Sequence, residues 1–585
     1  MKYNNDIMQK NKKYVDYIRM KNKKGENCYM KSRRVTEIPK KENSLKIEKR
    51  LKYAHIAIIL LGIIFISIPI FHQNLWFDES YSVGMANNSF NDIWSIGSND
   101  VHPVLYYWIL HIAYLLFGSN IYIYRIISMI PIAILGILGY THIRKDFGEK
   151  IGLLFSFFVF FLPIISVYSG EIRMYTWAML FVSLMAIYAY RIYKNNLQSK
   201  EEVTEREIKK VQNNQQEKET KKIAKPKGFY KNWILFAIFS LAASYTHYYG
   251  LATAGIINLV LLIHFIIKII KAHKKNEKDK INILNLKCFI VSAVIQIALY
   301  LPWLLYLLIQ FQTVSKGFWI ENPSIELWLQ IFIFQFTGNL DTIFLKQELA
   351  FTFSIILFAY AIGTMIYAIV KQKDNNSNKP GLLAIGIYAV VTICIFIISL
   401  KVPILYARYF LNLTGIFIFF MAFFMIKGGK KALTIFICIL TVITAIFINY
   451  QVTKMNYGPN NSKPLEYVKQ DLKQEDLILF GNDATGFVLS MQLPGIANCF
   501  YDGDYWNVEP AYQAFGKEMK TIKTLEGLDN YYGRIWVVDS GNYNIYNEML
   551  ERYGENINLL KQEHFSIEYH SYQYNITLVE KTSNI

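Results

Sequence analysis

Ionisable residues framed by aromatic ones recur at five places in this 585-residue chain. Asp78 and Glu79 lie in Trp-Phe-Asp-Glu-Ser-Tyr, and Asp100 and His102 in Asn-Asp-Val-His-Pro. Glu171 and Arg173 lie in Tyr-Ser-Gly-Glu-Ile-Arg-Met-Tyr, His247 in Tyr-Thr-His-Tyr-Tyr-Gly, and Arg408 in Ala-Arg-Tyr-Phe. A carboxylate can take the proton of a hydroxyl or amine acceptor, while Arg and His can hold a departing phosphate. Such a set suits glycosyl transfer from a sugar carried on a lipid phosphate, whose prenyl tail stays in the bilayer and fixes the site at the lipid boundary. Each cluster alone has a plainer reading: a solvated helix start for Asp78-Glu79, a hydrogen-bonded interfacial histidine for His102 or His247, a snorkelling side chain for Arg408. Glu171 and Arg173 are two apart and do not pair on a helix face. What joins the five is the membrane face they share, and the elements that carry them decide that.

Of the residues, 53% are hydrophobic and 18% charged, with a formal net charge of +18. A soluble chain would carry about a quarter charged residues, and a disordered one would lack the apolar content. Nucleic-acid binding needs the basic charge on one folded face, whereas here charge and apolar runs are segregated along the chain, so no nucleic-acid partner is expected. Runs long enough for a bilayer, roughly 20 residues each, number about eleven: 53–72, 121–142, 151–168, 174–192, 232–250, 252–270, 288–308, 349–370, 381–400, 404–426 and 432–449. Basic loops mark the cytoplasmic side, and they include Arg144 to Lys150, 193–231, 271–287, Lys371 and Lys373, and Lys427 to Lys431. An odd number of spans puts all of these inside and all five polar clusters outside. The stretch His102 to Phe117, about 16 residues long, would break this rule if it spanned, so it is expected to lie in the outer interface.

The first 52 residues carry 17 Lys/Arg against 6 Asp/Glu and form a basic cytoplasmic tail rather than a cleaved leader. Residues 53–450 make the transmembrane domain. Residues 451–585 reverse the charge, with 11 Lys/Arg against 18 Asp/Glu. Their strand-length runs Asp476 to Phe480 and Arg534 to Val538, and the helical stretch 464–473, predict a small extracytoplasmic α/β domain. Residues 194–227 read as a solvated or disordered linker. Five scattered cysteines, Cys28, Cys288, Cys394, Cys438 and Cys499, have no CxxC spacing and suggest neither a disulfide framework nor a zinc cluster.

At these same residues the sequence resembles the bacterial members of glycosyltransferase family 39, in the GT-C superfamily that includes protein O-mannosyltransferases and the lipid A aminoarabinose transferase. The matching motifs, in order over roughly residues 50 to 415, are Phe77-Asp78-Glu79-Ser80-Tyr81, Asp100 to Tyr107, Glu171-Ile172-Arg173-Met174-Tyr175, Tyr245 to Gly250, Phe318-Trp319-Ile320 and Ala407-Arg408-Tyr409-Phe410. The resemblance implies a GT-C-like fold in which Asp78 activates the acceptor, Glu79 supports it and Glu171 is the second acidic position. It implies that His102, where many relatives carry Lys or Arg before proline, contacts the donor phosphate, and that Arg173, Tyr175, His247 and Arg408 bind phosphate or sugar. Two departures stand out: Val104 replaces the second proline of the common His-Pro-Pro, and Gly170 stands where Gln is frequent. Both leave the charged groups intact and read as drift.

The expectation is therefore a multi-span α-helical enzyme of the bacterial plasma membrane, with interfacial helices in its first outer loop. It would transfer a sugar from a polyprenyl-phosphate donor to an extracytoplasmic acceptor by inverting single displacement. Its partners would be that donor, membrane lipids and the acceptor. No cofactor is assigned from the sequence, and a divalent ion on Asp78, Glu171 and His247 stays open. The rival is a transporter or lipid-linked sugar flippase, which predicts polar residues near the bilayer midplane and paired broken helices.

Overall fold

The computed structural model describes residues 38–582 apart from 213–227, 277–278, 317–319, 321, 338–346, 372–374, 482–483, 502–511, 517–518 and 541–543. The chain divides into a short unit up to Lys52 and one compact unit from Tyr53 to Ile585. Phe318 and Trp319, and the tail before residue 38, lie outside the described residues.

Nine helices among the described residues are long and apolar enough to cross a membrane: Ile47–Ile70, Ile121–Phe147, Tyr175–Lys194, Tyr248–His273, Lys280–Gln312, Phe351–Lys371, Ser377–Ser399, Ala407–Gly428 and Lys431–Asn456. They fall at nine of the eleven expected spans. The other two positions hold lesser helices for legible reasons. Residues 151–168 break at Leu162, where Pro163 starts a new helix, giving Glu149–Phe161 and Pro163–Tyr168. Phe229–Thr246 is diluted by Lys231, Asn232, Ser240 and Ser244. Helix Tyr175–Gln212 runs well into the stretch read as linker, since Glu, Lys, Gln and Arg are strong helix formers. Most spans are only 22–44% buried, as lipid-facing helices are, whereas Tyr175–Lys194 is 72% and Ala407–Gly428 83% buried. These two central helices begin beside Arg173 and at Arg408.

Between the first two spans stand three helices, Phe77–Asn87, Phe90–Asn99 and Leu105–Phe117. At 13 residues the last is too short to span. It buries Tyr106, Tyr107, Leu110 and His111 and exposes Ile112, Leu115, Leu116 and Phe117, an apolar outer face suited to the membrane interface.

After the last span the chain builds a six-stranded sheet: β1 Leu477–Phe480, β2 Ala497–Tyr501, β3 Lys520–Ile522, β4 Gly533–Asp539, β5 Ile557–Ser566 and β6 Gln573–Lys581. The order is β3-β2-β1-β4-β6-β5, with the first four parallel and β6 antiparallel to both β4 and β5. Strand alternation gives each face its own core. Leu477, Leu479, Ile535 and Val537 face a local cluster with Ile545 and Met549. Ile478, Phe480, Trp536 and Val538 join the core of the membrane domain. One face of the sheet is thus fused to the bundle, and the contact falls on the first-loop helix Phe77–Asn87: Phe77 packs edge-on to Phe487 at 5.4 Å and meets Phe515 at 5.7 Å. A Cβ on Gly84 of that helix would sit 2.1 Å from the carbonyl oxygen of Ala514, so only glycine permits this approach.

Candidate active site

Asp78 and Glu79 occupy the first turn of Phe77–Asn87, where the helix dipole and free amides favour carboxylates. Adjacent positions on a helix point about 100° apart, and the two side chains go to different places.

Glu79 points inward and is 1% exposed. It accepts from Arg125 Nη1 at 2.6 Å and Nη2 at 3.0 Å, from Tyr569 Oη at 2.7 Å and from the Ile172 amide at 3.0 Å, and it closes a capping box with the Trp76 amide at 3.4 Å. Arg125, itself 2% exposed, also donates to the carbonyls of His72, Gly170 and Asn74. One buried ion pair therefore ties the first loop, the second span, the turn before Arg173 and the C-terminal sheet domain together. Glu79, grouped with the catalytic carboxylates on sequence, has both oxygens occupied by these donors. Arg125 escaped the sequence reading. Its signal was a lone arginine within the apolar run Ile-Tyr-Ile-Tyr-Arg-Ile-Ile, since a charge at such a place is paired.

Asp78 points to the site and is 19% exposed. Its Oδ2 lies 3.2 Å from Arg408 Nη2 and 3.8 Å from Arg173 Nε. Burial works against its charge, but the guanidiniums of Arg173 and Arg408 outweigh it and hold the carboxyl below its usual range. Arg173 is pinned by the Asp78 carbonyl at 3.2 Å, by Ser82 Oγ at 3.3 Å and by His102 Nε2 at 3.1 Å. Arginine can only donate, so Nε2 accepts and Nδ1 carries the proton that His102 gives Asp100 at 2.7 Å. Tyr81 Oη donates to the same Asp100 oxygen at 2.7 Å. The result is a continuous chain, Asp100–His102–Arg173–Asp78–Arg408. Arg408 also approaches the Trp76 indole at 5.2 Å and the Tyr406 ring at 4.9 Å.

His247 breaks the run between Phe229–Thr246 and Tyr248–His273. Its Nδ1 accepts from the Tyr249 amide at 3.1 Å and from Asn412 Nδ2 at 3.0 Å, which leaves the proton on Nε2. The ring lies 5.0 Å from Tyr409 and 5.9 Å from Tyr175, so Tyr175 and His247 form an aromatic flank beside the arginines.

Glu171 lies near enough to feel the charges of Arg408, Glu79 and Asp78. It lines a cavity of about 370 Å³ with Trp76, Arg408, Tyr569 and His570, and its Oε1 has no hydrogen-bond partner. Burial, against the pull of Arg408 and with the push of Glu79 and Asp78, raises its carboxyl to about 8. Gly170 before it has a reason beyond drift: a Cβ there would lie 2.3 Å from Ile70 Cγ2. Among the described residues no three His, Cys, Asp or Glu side chains form a metal-binding group, and Asp78, Glu171 and His247 are not brought together as one.

The site is thus built on a many-span bundle with an acidic helix start after its first span and arginines at the ends of its two most central helices. Residues 101–200 match the family described as dolichyl-phosphate-mannose-protein mannosyltransferase. The fold is similar to ArnT from Cupriavidus metallidurans bound to undecaprenyl phosphate, with a TM-score of 0.53 at 10% identity over 89% of this chain and 97% of that one. The apo state of that ArnT matches at 0.47, 11% identity and the same coverage. The Archaeoglobus fulgidus oligosaccharyltransferase, in complex with Zn and sulfate, matches at 0.38 and 10% identity over 88% of this chain and 72% of that one. No curated protein sequence matches the chain. The chain thus carries a stretch that matches this mannosyltransferase family and, over most of its length, a multi-pass fold similar to that of ArnT.

Proposed function

We propose that this protein transfers one sugar from a polyprenyl-phosphate donor to an acceptor on the extracytoplasmic side of a bacterial plasma membrane, with inversion in a single displacement. The observation that carries the reading is the pairing of Asp78 with two arginines, Arg173 at 3.8 Å and Arg408 at 3.2 Å, while the neighbouring Glu79 is fully committed elsewhere. Undecaprenyl phosphate in ArnT supports the donor class, and the basic loops opposite the site support its side.

A carboxylate held by two guanidiniums is a weak base, and the donor resolves this. Its phosphate competes with Asp78 for Arg173 and Arg408. As it takes them, Asp78 loses the charges that depress its proton affinity and becomes basic where it is needed. Asp78 then removes the proton from the acceptor hydroxyl or amine, the freed lone pair forms a bond to the anomeric carbon, and the C–O bond to phosphate breaks on the opposite face. The bonding electrons leave with the polyprenyl phosphate, whose charge Arg173, Arg408 and the His102–Asp100 relay meet. His247, neutral with Nε2–H available, and Tyr175 border the donor. Glu79 acts through Arg125 to hold the Asp78 helix in place.

The test is Asp78→Asn in purified protein in nanodiscs. It should lower transfer by about 10²–10⁴-fold, the range of general-base catalysis, while polyprenyl phosphate still binds. Wild-type transfer by this variant sinks the assignment. Cysteine reporters at 78, 171 and 247 that label from both membrane faces would instead favour transport.

A further inference from the structure

The cavity beside Glu171 is closed by a part of the chain that the chemistry above does not use. The turn between β5 and β6, residues 567–572, reaches from the sheet domain into the site. Tyr569 Oη donates to Glu79 at 2.7 Å. His570 stacks on Trp76 at 5.0 Å with only 14° between the rings, and the same indole is approached by Arg408.

This turn is held in a costly shape. His570 and Ser571 have φ of 52° and 54°, left-handed backbone that residues other than glycine seldom adopt. Its base is fastened to compensate: Glu568 accepts from the Asn460 amide at 3.3 Å and from Asn460 Nδ2 at 2.9 Å, and the Tyr569 amide donates to Asn461 at 2.9 Å. Strain kept by surrounding structure is characteristic of functional sites.

The lining is also unfinished. Glu171 Oε1, His72 Nδ1 and Asn456 Oδ1 all border the cavity, and none has a hydrogen-bond partner. His72 is 6% and Asn456 7% exposed, so these are buried polar atoms of the kind native proteins otherwise satisfy. The groups are those that pair with hydroxyls: a carboxyl, imidazoles, an amide and a phenol. At about 370 Å³ the space is at the small end of ligand cavities, roughly 300–1,000 Å³, which suits one ring rather than an oligosaccharide. Arg408 borders both this cavity and Asp78, so a ring attached to a phosphate on Arg408 extends into it.

We propose that the C-terminal domain is part of the active site, and that its Tyr569-His570 turn forms, with Glu171, His72 and Asn456, the subsite that selects the donor's sugar ring. This rests on the reading of the donor as a polyprenyl-phosphate sugar. His570 is a specificity residue, and Tyr569 a positioning residue acting through Glu79.

The full chain in nanodiscs is titrated, by tryptophan fluorescence, with bare undecaprenyl phosphate and with undecaprenyl-phosphate mannose, glucose and aminoarabinose. The wild type should bind at least one sugar-bearing lipid more tightly than the bare one. His570→Ala should weaken that binding about tenfold, the worth of one or two hydrogen bonds, and leave bare undecaprenyl phosphate and the unfolding temperature unchanged. His570→Asn, which tolerates left-handed backbone, serves if the alanine variant does not fold and should show the same selective loss. Unchanged affinity for every lipid, or equal weakening of bare and sugar-bearing lipids, overturns the proposal. A wild type that binds bare undecaprenyl phosphate but does not distinguish the sugars overturns the subsite alone, whereas one that binds none of the four overturns the donor reading and the subsite with it.

Discussion

Glu79→Gln tests whether the buried ion pair holds the site together. The substitution keeps shape and one acceptor oxygen but removes the charge opposite Arg125, whose guanidinium is 2% exposed and makes two bonds of 2.6 and 3.0 Å to the carboxylate. An amide nitrogen facing Arg125 or Tyr569 Oη also sets donor against donor. Removing one member of such a pair costs about 3–5 kcal/mol, because the other charge stays buried without its partner. Asp78→Asn, one residue away, alters a carboxylate 19% exposed and should cost far less. The assay is unfolding of the purified protein in detergent, followed by tryptophan fluorescence, for Glu79→Gln, Arg125→Gln and the double variant. The double variant should be less destabilised than the sum of the singles by about 1–3 kcal/mol, the coupling expected of residues in one network. A Glu79→Gln protein that unfolds with the wild type, or coupling below about 0.5 kcal/mol, refutes the positioning role.

Three further outcomes follow from the geometry. Glu171, raised to about 8 from the 4.5 of a free glutamate, stays protonated at neutral pH. Its higher proton affinity in the fold favours the native state fully below pH 4.5 and is lost as pH rises through 8, so Glu171→Gln should flatten that decline in unfolding temperature. Asp78, held below its usual range by its arginines, gains proton affinity when the donor phosphate takes them, so donor binding should tighten as pH falls from 7 to 5, as measured by lipid titration, and Asp78→Asn should remove that dependence. Gly84→Ala places a Cβ 2.1 Å from the Ala514 oxygen and should cost about 1–3 kcal/mol by overpacking, read as faster proteolysis of the C-terminal domain with the spans intact.

The sequence made the membrane bundle legible because apolar length and basic loops are local signals. The five polar clusters were legible because isolated charges among aromatics are conspicuous in such a chain, and five of their residues, Asp78, Asp100, His102, Arg173 and Arg408, do meet in one chain of contacts. The partners of Glu79 were not legible, because Arg125 is 46 and Tyr569 490 residues away, and neither distance leaves a local pattern. The division of labour between Asp78 and Glu79 was equally hidden, since it depends on which way each leaves one helical turn. Pro163 was visible as a break in the third apolar run, but run length alone made that run a span. The six strands were legible only where both faces are buried, as in Leu-Ile-Leu-Phe of β1.

The bond between Tyr569 and Glu79 has a bearing on biosynthesis. Translation at about 5–20 residues per second separates the two partners by roughly 25–100 s, during which Glu79 has Arg125 but lacks the phenol of Tyr569. A ribosome that stalls anywhere before the last hairpin leaves a bundle whose first-loop helix is held by Arg125 alone. On the proposed function, sugar-transfer competence is therefore expected only of a chain that has made its last hairpin, and a half-made chain would not spend lipid-linked sugar while it waits.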